Sequence, residues 1–92
     1  MSDGVTATVE VPNRLGLHAR AAAKLVDLAN QYQSHIEVSK DGQAADAKSI
    51  MGVLLLCGQQ GAHITFHARG EDAESAVAAL CVLVAAGFGE EQ

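Results

Sequence analysis

Val5-Thr6-Ala7-Thr8-Val9-Glu10-Val11-Pro12-Asn13-Arg14-Leu15-Gly16-Leu17-His18-Ala19-Arg20-Ala21-Ala22-Ala23 holds both of the periodicities from which the architecture is read. Val5, Ala7, Val9 and Val11 alternate with Thr6, Thr8 and Glu10, the pattern of a half-buried strand. Pro12-Asn13 ends it. A turn with Gly16 follows. From Ala19 to Tyr32 the chain is rich in helix formers, with Ala22, Leu25, Val26 and Ala29 on one stripe, which predicts an amphipathic helix.

The same two patterns recur downstream. His35 to Lys40 alternates with Ile36 and Val38 on one face, Asp41-Gly42 is a hairpin signal, and Gln43 to Asp46 returns as a short strand. Ser49 precedes Ile50 to Leu56, a short apolar helix that Gly58 is expected to end. His63 to Arg69 alternates with Ile64, Phe66 and Ala68 on one face. Glu71, Asp72 and Glu74 load the start of a last helix, where negative charge meets the positive end of the dipole. Its buried stripe is Ala73, Ala76, Val77, Leu80 and Val84, and Gly87 is its expected C-cap. Residues 88–92 read as a tail. The order is β-α-β-β-α-β-α. Strands apolar on one face only ask for an α+β, two-layer open-faced sandwich: one antiparallel sheet with helices on one side and water on the other.

The chain has 92 residues, which suits one compact domain spanning 1–92. The only proline is Pro12, and no linker, charge block or repeat divides the chain. Cys57 and Cys81 form no CxxC or zinc-ligand pattern and are expected as reduced thiols in or near the core. Met1-Ser2-Asp3-Gly4 carries no basic region followed by an apolar run, so no signal peptide is read. The apolar stretch Ala76 to Ala86 is too short for a bilayer. A cytoplasmic protein with no membrane association is expected. The net charge of −5 disfavours nucleic acid as a partner. The few aromatics, Tyr32, Phe66 and Phe88, make no base-stacking platform.

The segment around His18 suits phosphate chemistry. The first N–H groups of a helix have no internal partners and, with the dipole, form an anion site. A histidine at that boundary can place a ring nitrogen just outside those donors. Arg20 adds a permanent charge two residues on. Neutral imidazole is abundant near pH 7 and nucleophilic, and attack on phosphorus yields phosphohistidine. On pattern alone, a histidine that merely caps a helix beside a solvated arginine is the simpler reading. His35, His63 and His67 are read as exposed polar-face residues of strands. His63 and His67 stand roughly 13 Å apart along one strand, too far to share a metal, and no metal site is read.

Asn13-Arg14-Leu15-Gly16-Leu17-His18-Ala19-Arg20 resembles the active-site signature of the HPr family of histidine-containing phosphocarriers. Lys48-Ser49-Ile50-Met51-Gly52-Val53 is similar to that family's regulatory-serine segment. Gly61-Ala62-His63-Ile64-Thr65-Phe66 and Gly70-Glu71-Asp72-Ala73 are similar to its last strand and last-helix start. The resemblance covers about residues 4–89. It implies a sheet ordered 1-4-2-3 with three helices on one face. It also implies phosphorylation of His18 on Nδ1, with Arg20 and the backbone N–H groups of Ala19, Arg20 and Ala21 holding the phosphoryl group. The family role is that of a phosphoryl-transfer intermediate rather than a stand-alone enzyme. It uses no cofactor, acts as a monomer, and takes its group from an enzyme I-type donor for an EIIA-type acceptor of the phosphoenolpyruvate-dependent phosphotransferase system.

Ser49 matches the serine that an HPr kinase/phosphorylase modifies in many bacteria; on chemistry alone it is an N-cap. Ile50, Met51, Leu54 and Leu55 are expected as a partner-docking patch, with Val53 and Leu56 better suited to the core. A regulatory interaction protein switched by Ser49 phosphorylation is the alternative reading. Ala21 stands where the family usually has proline, so a looser first turn is expected with the helix otherwise starting normally. Ala85-Ala86-Gly87-Phe88-Gly89 resembles nitrogen-branch relatives, whereas the Lys48–Val53 segment resembles the sugar-branch type.

Overall fold

The computed structural model describes residues 4–90. Residues 1–3 and 91–92, which include the start of the amino-terminal segment and the end of the expected tail, lie outside the described residues. The elements are β1 (Val5–Glu10), α1 (Ala19–Ala29), β2 (His35–Lys40), β3 (Gln43–Asp46), α2 (Ile50–Leu55), β4 (His63–Arg69) and α3 (Ala73–Ala85), with a single turn of tighter helix at Gly87–Gly89.

The sheet order is β1-β4-β2-β3, with every neighbouring pair antiparallel. Val9 stands opposite Ile64 and Val38 opposite Phe66. These registers bring Ile36, Val38, Ile64, Phe66 and Ala68, all fully buried, onto one face. A one-residue slip would turn that set to water, so burial fixes the register. The three helices cover this face and complete the two-layer, open-faced α+β sandwich. The other face carries Thr8 and Thr65, whose hydroxyls meet at 2.8 Å.

α3 buries Ala73, Ala76, Val77, Leu80 and Val84, the stripe its periodicity predicts. Gly87 beyond its end has φ +67, the left-handed conformation a helix stop of this kind uses. α1 buries Ala21, Ala22, Leu25 and Ala29, while Val26 is half-buried. It ends three residues before Tyr32 because Asn30 caps it: the Asn30 side chain donates to the Val26 carbonyl at 2.9 Å. A short polar side chain that bonds its own helix competes with continuation. α2 ends at Leu55 with Leu56 as its cap, and the left-handed residue that stops it is Cys57, with φ +54, rather than Gly58. The Cys57 thiol is exposed and that of Cys81 half-buried, so only Cys81 lies near the core, where burial pushes its pKa up.

Two further expectations are corrected. Asp72 does not spend its charge on the first turn of α3. Its carboxylate accepts from the backbone N–H of Gln33 at 2.9 Å and of Ser34 at 3.0 Å, and from the Ser34 hydroxyl. It therefore clasps the α1–β2 connection to the start of α3. Phe88 to Glu90 are no loose tail either: Phe88 is 1% exposed and belongs to the core. Burying a side chain of that size contributes about 1.5–3 kcal/mol, enough to hold the chain end down.

Among the described residues, no helix is long and apolar enough to cross a membrane.

Candidate functional site

The turn between β1 and α1 is pinned from both sides. Val11 exchanges backbone hydrogen bonds with Gly61 and Ala62, each at 2.8 Å, just before the chain turns at Pro12. Asn13 is fully buried, and its amide donates to the Gly16 carbonyl at 2.9 Å. Gly16 has φ +64, and a Cβ there would run into the Gly58 carbonyl. Only glycine satisfies both the conformation and the close approach. That Gly58 carbonyl accepts from the Leu17 N–H at 2.7 Å. Leu17 is buried at 5% exposure, so the loop after α2 braces the residue immediately before His18.

His18 is the N-cap of α1, with extended backbone (φ −71, ψ 177). Its carbonyl accepts the first helical bond, from the Ala22 N–H at 2.8 Å. Its side chain does what a capping aspartate or serine does elsewhere: Nδ1 accepts from the Arg20 backbone N–H at 3.3 Å. Nε2, on the far side of the ring, is paired with the Glu90 carboxylate. The ring is about one-quarter exposed, at 25%. That leaves it reachable by a docked protein while its plane is held from both edges.

Around this ring lies an open cleft lined by Leu15, His18, Arg20, Lys24, Gly89 and Glu90. Arg20 is exposed, and among the described residues its guanidinium is in no ion pair. Lys24, one turn further along α1, donates from Nζ to the Phe88 carbonyl at 2.7 Å. The first-turn amides of Ala19, Arg20 and Ala21 have no carbonyl one turn earlier within the helix to bond. The lone pair of Nδ1, held only by a 3.3 Å bond from the Arg20 amide, helix-start amides and a guanidinium in no ion pair among the described residues thus meet at one place. That combination can hold a tetrahedral anion and form a bond to its central atom. Ala21 is fully buried and α1 begins at Ala19 as expected, without proline.

Ser49 lies elsewhere. It caps α2, its Oγ accepting from the Gly52 N–H at 3.2 Å. It opens on a separate groove with Gln43, Asp46, Gly52 and Leu55. Of the expected patch, Ile50, Met51 and Leu55 are exposed, at 42%, 66% and 71%. Leu54 is half-buried against the core, because its position on so short a helix faces inward with Val53. Leu15, exposed at 71% in the His18 cleft, extends the apolar surface on the other side. His35 and His63 are exposed as expected, but His67 is half-buried. Glu90 and Leu15 were not singled out by the sequence. Leu15 carried the signal of a large apolar residue in a polar turn, whereas nothing local to Glu90 indicates where it goes.

The family described as "PTS HPr component phosphorylation site" matches residues 5–86. Phosphocarrier protein HPr of Cupriavidus necator is 47% identical over 78 residues, which is 85% of this chain and 88% of the relative. Phosphocarrier protein NPr of Proteus mirabilis is 42% identical over 84 residues, covering 90% and 93%. The crystal structure of HPr-C-His from Thermoanaerobacter tengcongensis aligns with a TM-score of 0.92 at 43% identity, over 96% of this chain and 99% of that one. With nearly the whole chain matched in sequence and in fold, this protein belongs to the HPr family of phosphotransferase-system phosphocarriers.

Proposed function

We propose that this chain accepts a phosphoryl group on Nδ1 of His18 from an enzyme I-type donor and passes it to a histidine of an EIIA-type acceptor. The observation that carries the reading is the placement of Nδ1 at the N-cap of α1, bonded to the Arg20 amide, on a ring that lines the cleft. The Nδ1 lone pair attacks phosphorus in line as the donor's bond to phosphorus breaks, and that bonding pair returns to the donor atom. The Arg20 amide is then released to a phosphoryl oxygen, joined by the amides of Ala19 and Ala21 and the Arg20 guanidinium. Positioning and charge are most of what phosphoryl transfer demands. The chain carries the group itself, as a monomer and without a cofactor, so it is a carrier and not an enzyme. Leu15, Ile50, Met51 and Leu55, with the half-buried Leu54 behind them, form the docking face for donor and acceptor alike.

Incubation with phosphoenolpyruvate and the donor enzyme tests this. Acid-labile label on the wild type and none on His18→Ala is the expected result; label that survives the substitution would refute it. His18→Ala should still fold, with a melting temperature lowered by a few degrees at most, because the substitution removes only the cap of α1.

A second reading concerns Ser49 as the target of an HPr kinase/phosphorylase. It is favoured by the exposed Ile50, Met51 and Leu55 immediately following the serine. A phosphate there would put two negative charges beside an apolar docking face and oppose association. Acid-stable label on Ser49 alone, with His18 unlabelled, would make regulation the primary role.

A further inference from the structure

The Glu90 carboxylate is divided between two partners in the turn it covers. One oxygen, Oε1, accepts from the Asn13 side-chain amide at 2.9 Å; the other meets His18 Nε2. Asn13 is itself fully buried and bonded to the Gly16 carbonyl. The carboxylate is thus anchored to the same turn that presents the histidine. It reaches that turn through Gly87, Phe88 and Gly89, consecutive residues with φ of 67, 59 and 75. Phe88 is sunk in the core between them, and Lys24 holds its carbonyl at 2.7 Å. A left-handed Phe is uncommon; here its ring packing and the Lys24 bond hold the hook that carries Glu90 back over the cleft.

Neutral imidazole has one N–H and one lone pair, and the partner of one nitrogen decides the state of the other. An ionised carboxylate only accepts, so Nε2 opposite Glu90 holds the proton. Nδ1 then holds the lone pair, in agreement with its acceptance of the Arg20 N–H. Glu90 is ionised at neutral pH. Burial works against its charge, but the hydrogen bonds from Asn13 and His18 and the charge of Lys24 outweigh it and keep its pKa below the ordinary 4.5.

We propose that Glu90 is a positioning residue for phosphoryl transfer: it locks His18 in the Nε2-protonated tautomer, turns Nδ1 toward the start of α1, and balances the charge the ring gains. This rests on His18 being the acceptor. When the Nδ1 lone pair bonds to phosphorus and the donor's bonding pair leaves with the donor, the proton stays on Nε2. The ring becomes a cation, and the Glu90 carboxylate lies against it. Arg20, the positive group of the same cleft that is in no ion pair among the described residues, remains for the phosphoryl oxygens. At metal sites a carboxylate paired with the far nitrogen of a ligating histidine orients the ring in the same way, and its removal there lowers affinity or activity about 10- to 100-fold.

The test uses the full chain with ring-labelled [15N]histidine, comparing wild type, Glu90→Gln and Glu90→Ala. In the wild type the His18 Nε2–H should be visible by NMR and slow to exchange with water. Glu90→Ala should lose that resonance and show both tautomers. Its single-turnover rate of phosphoryl uptake should fall about tenfold, with the KM for the donor nearly constant. Glu90→Gln, which keeps an acceptor oxygen without the charge, should retain the Nε2–H and lose rate. Backbone amide spectra of both variants report that the fold is intact. An unaltered ring resonance in Glu90→Ala, or an unaltered rate, overturns the assignment. The ring signal is read without any phosphorylation, so failure here is separate from persistence of label in His18→Ala, which strikes at the acceptor itself.

Discussion

Arg20 projects into the His18 cleft with its charge uncommitted to any carboxylate among the described residues. Replacing it inverts the field where phosphoryl oxygens are to lie. Arg20→Glu is expected to slow phosphoryl uptake about 100-fold or more in single-turnover assays, with no change in melting temperature because the side chain is exposed. Asp72 is the opposite case, a carboxylate whose role is structural. The Ser34 hydroxyl first, then the Gln33 N–H, hold its pKa below the ordinary 3.8. A carboxylate with a depressed folded pKa adds stability above its unfolded pKa and loses it as pH falls through the folded value. Wild type should therefore lose stability below about pH 4 in a step that Asp72→Asn, less stable at neutral pH, lacks; urea midpoints taken across that range check it. His18 and Arg20 were legible from residue type and spacing, since a helix start offers its donors to whatever lies there. Glu90 was not. Its partner is 72 positions away in sequence, and periodicity reports only near neighbours.

α3 shows why some elements are fully readable. It is buried on one stripe against β1 and β4, so Ala73, Ala76, Val77, Leu80 and Val84 answer to a single period. α1 packs between α2 and α3; its buried set shifts from Val26 to Ala21, and Asn30 closes it early. α2 has too few turns for a period to be measured, which is why Leu54 was placed outside and the stop one residue late. Residues 88–92 read as tail because glycines on both sides of Phe88 signal freedom as readily as they signal a tight turn. Phe88→Ala should cost about 3–5 kcal/mol in chemical denaturation. It should also erase the His18 Nε2–H signal while leaving residue 90 chemically intact, because the side chain that seats the hook is gone.

The sheet order β1-β4-β2-β3 brings the β1–α1 turn, the loop after α2 and the end of the chain to one end of the sandwich. The chemistry and the apolar face of α2 are therefore coupled through backbone: Gly58 bonds Leu17, and Leu17 precedes His18. Met51→Glu is expected to weaken donor binding by roughly 1–2 kcal/mol in titration calorimetry and to leave stability nearly unchanged, given its 66% exposure. The two ends of the described chain are placed very differently with respect to this activity. Gly4 precedes β1, whose six residues set it roughly 20 Å along the strand from the turn, whereas Glu90 sits against the imidazole. Bulk brought against Glu90 is therefore expected to shield His18 from its donor and slow phosphoryl uptake, whereas bulk brought against the start of β1 is not.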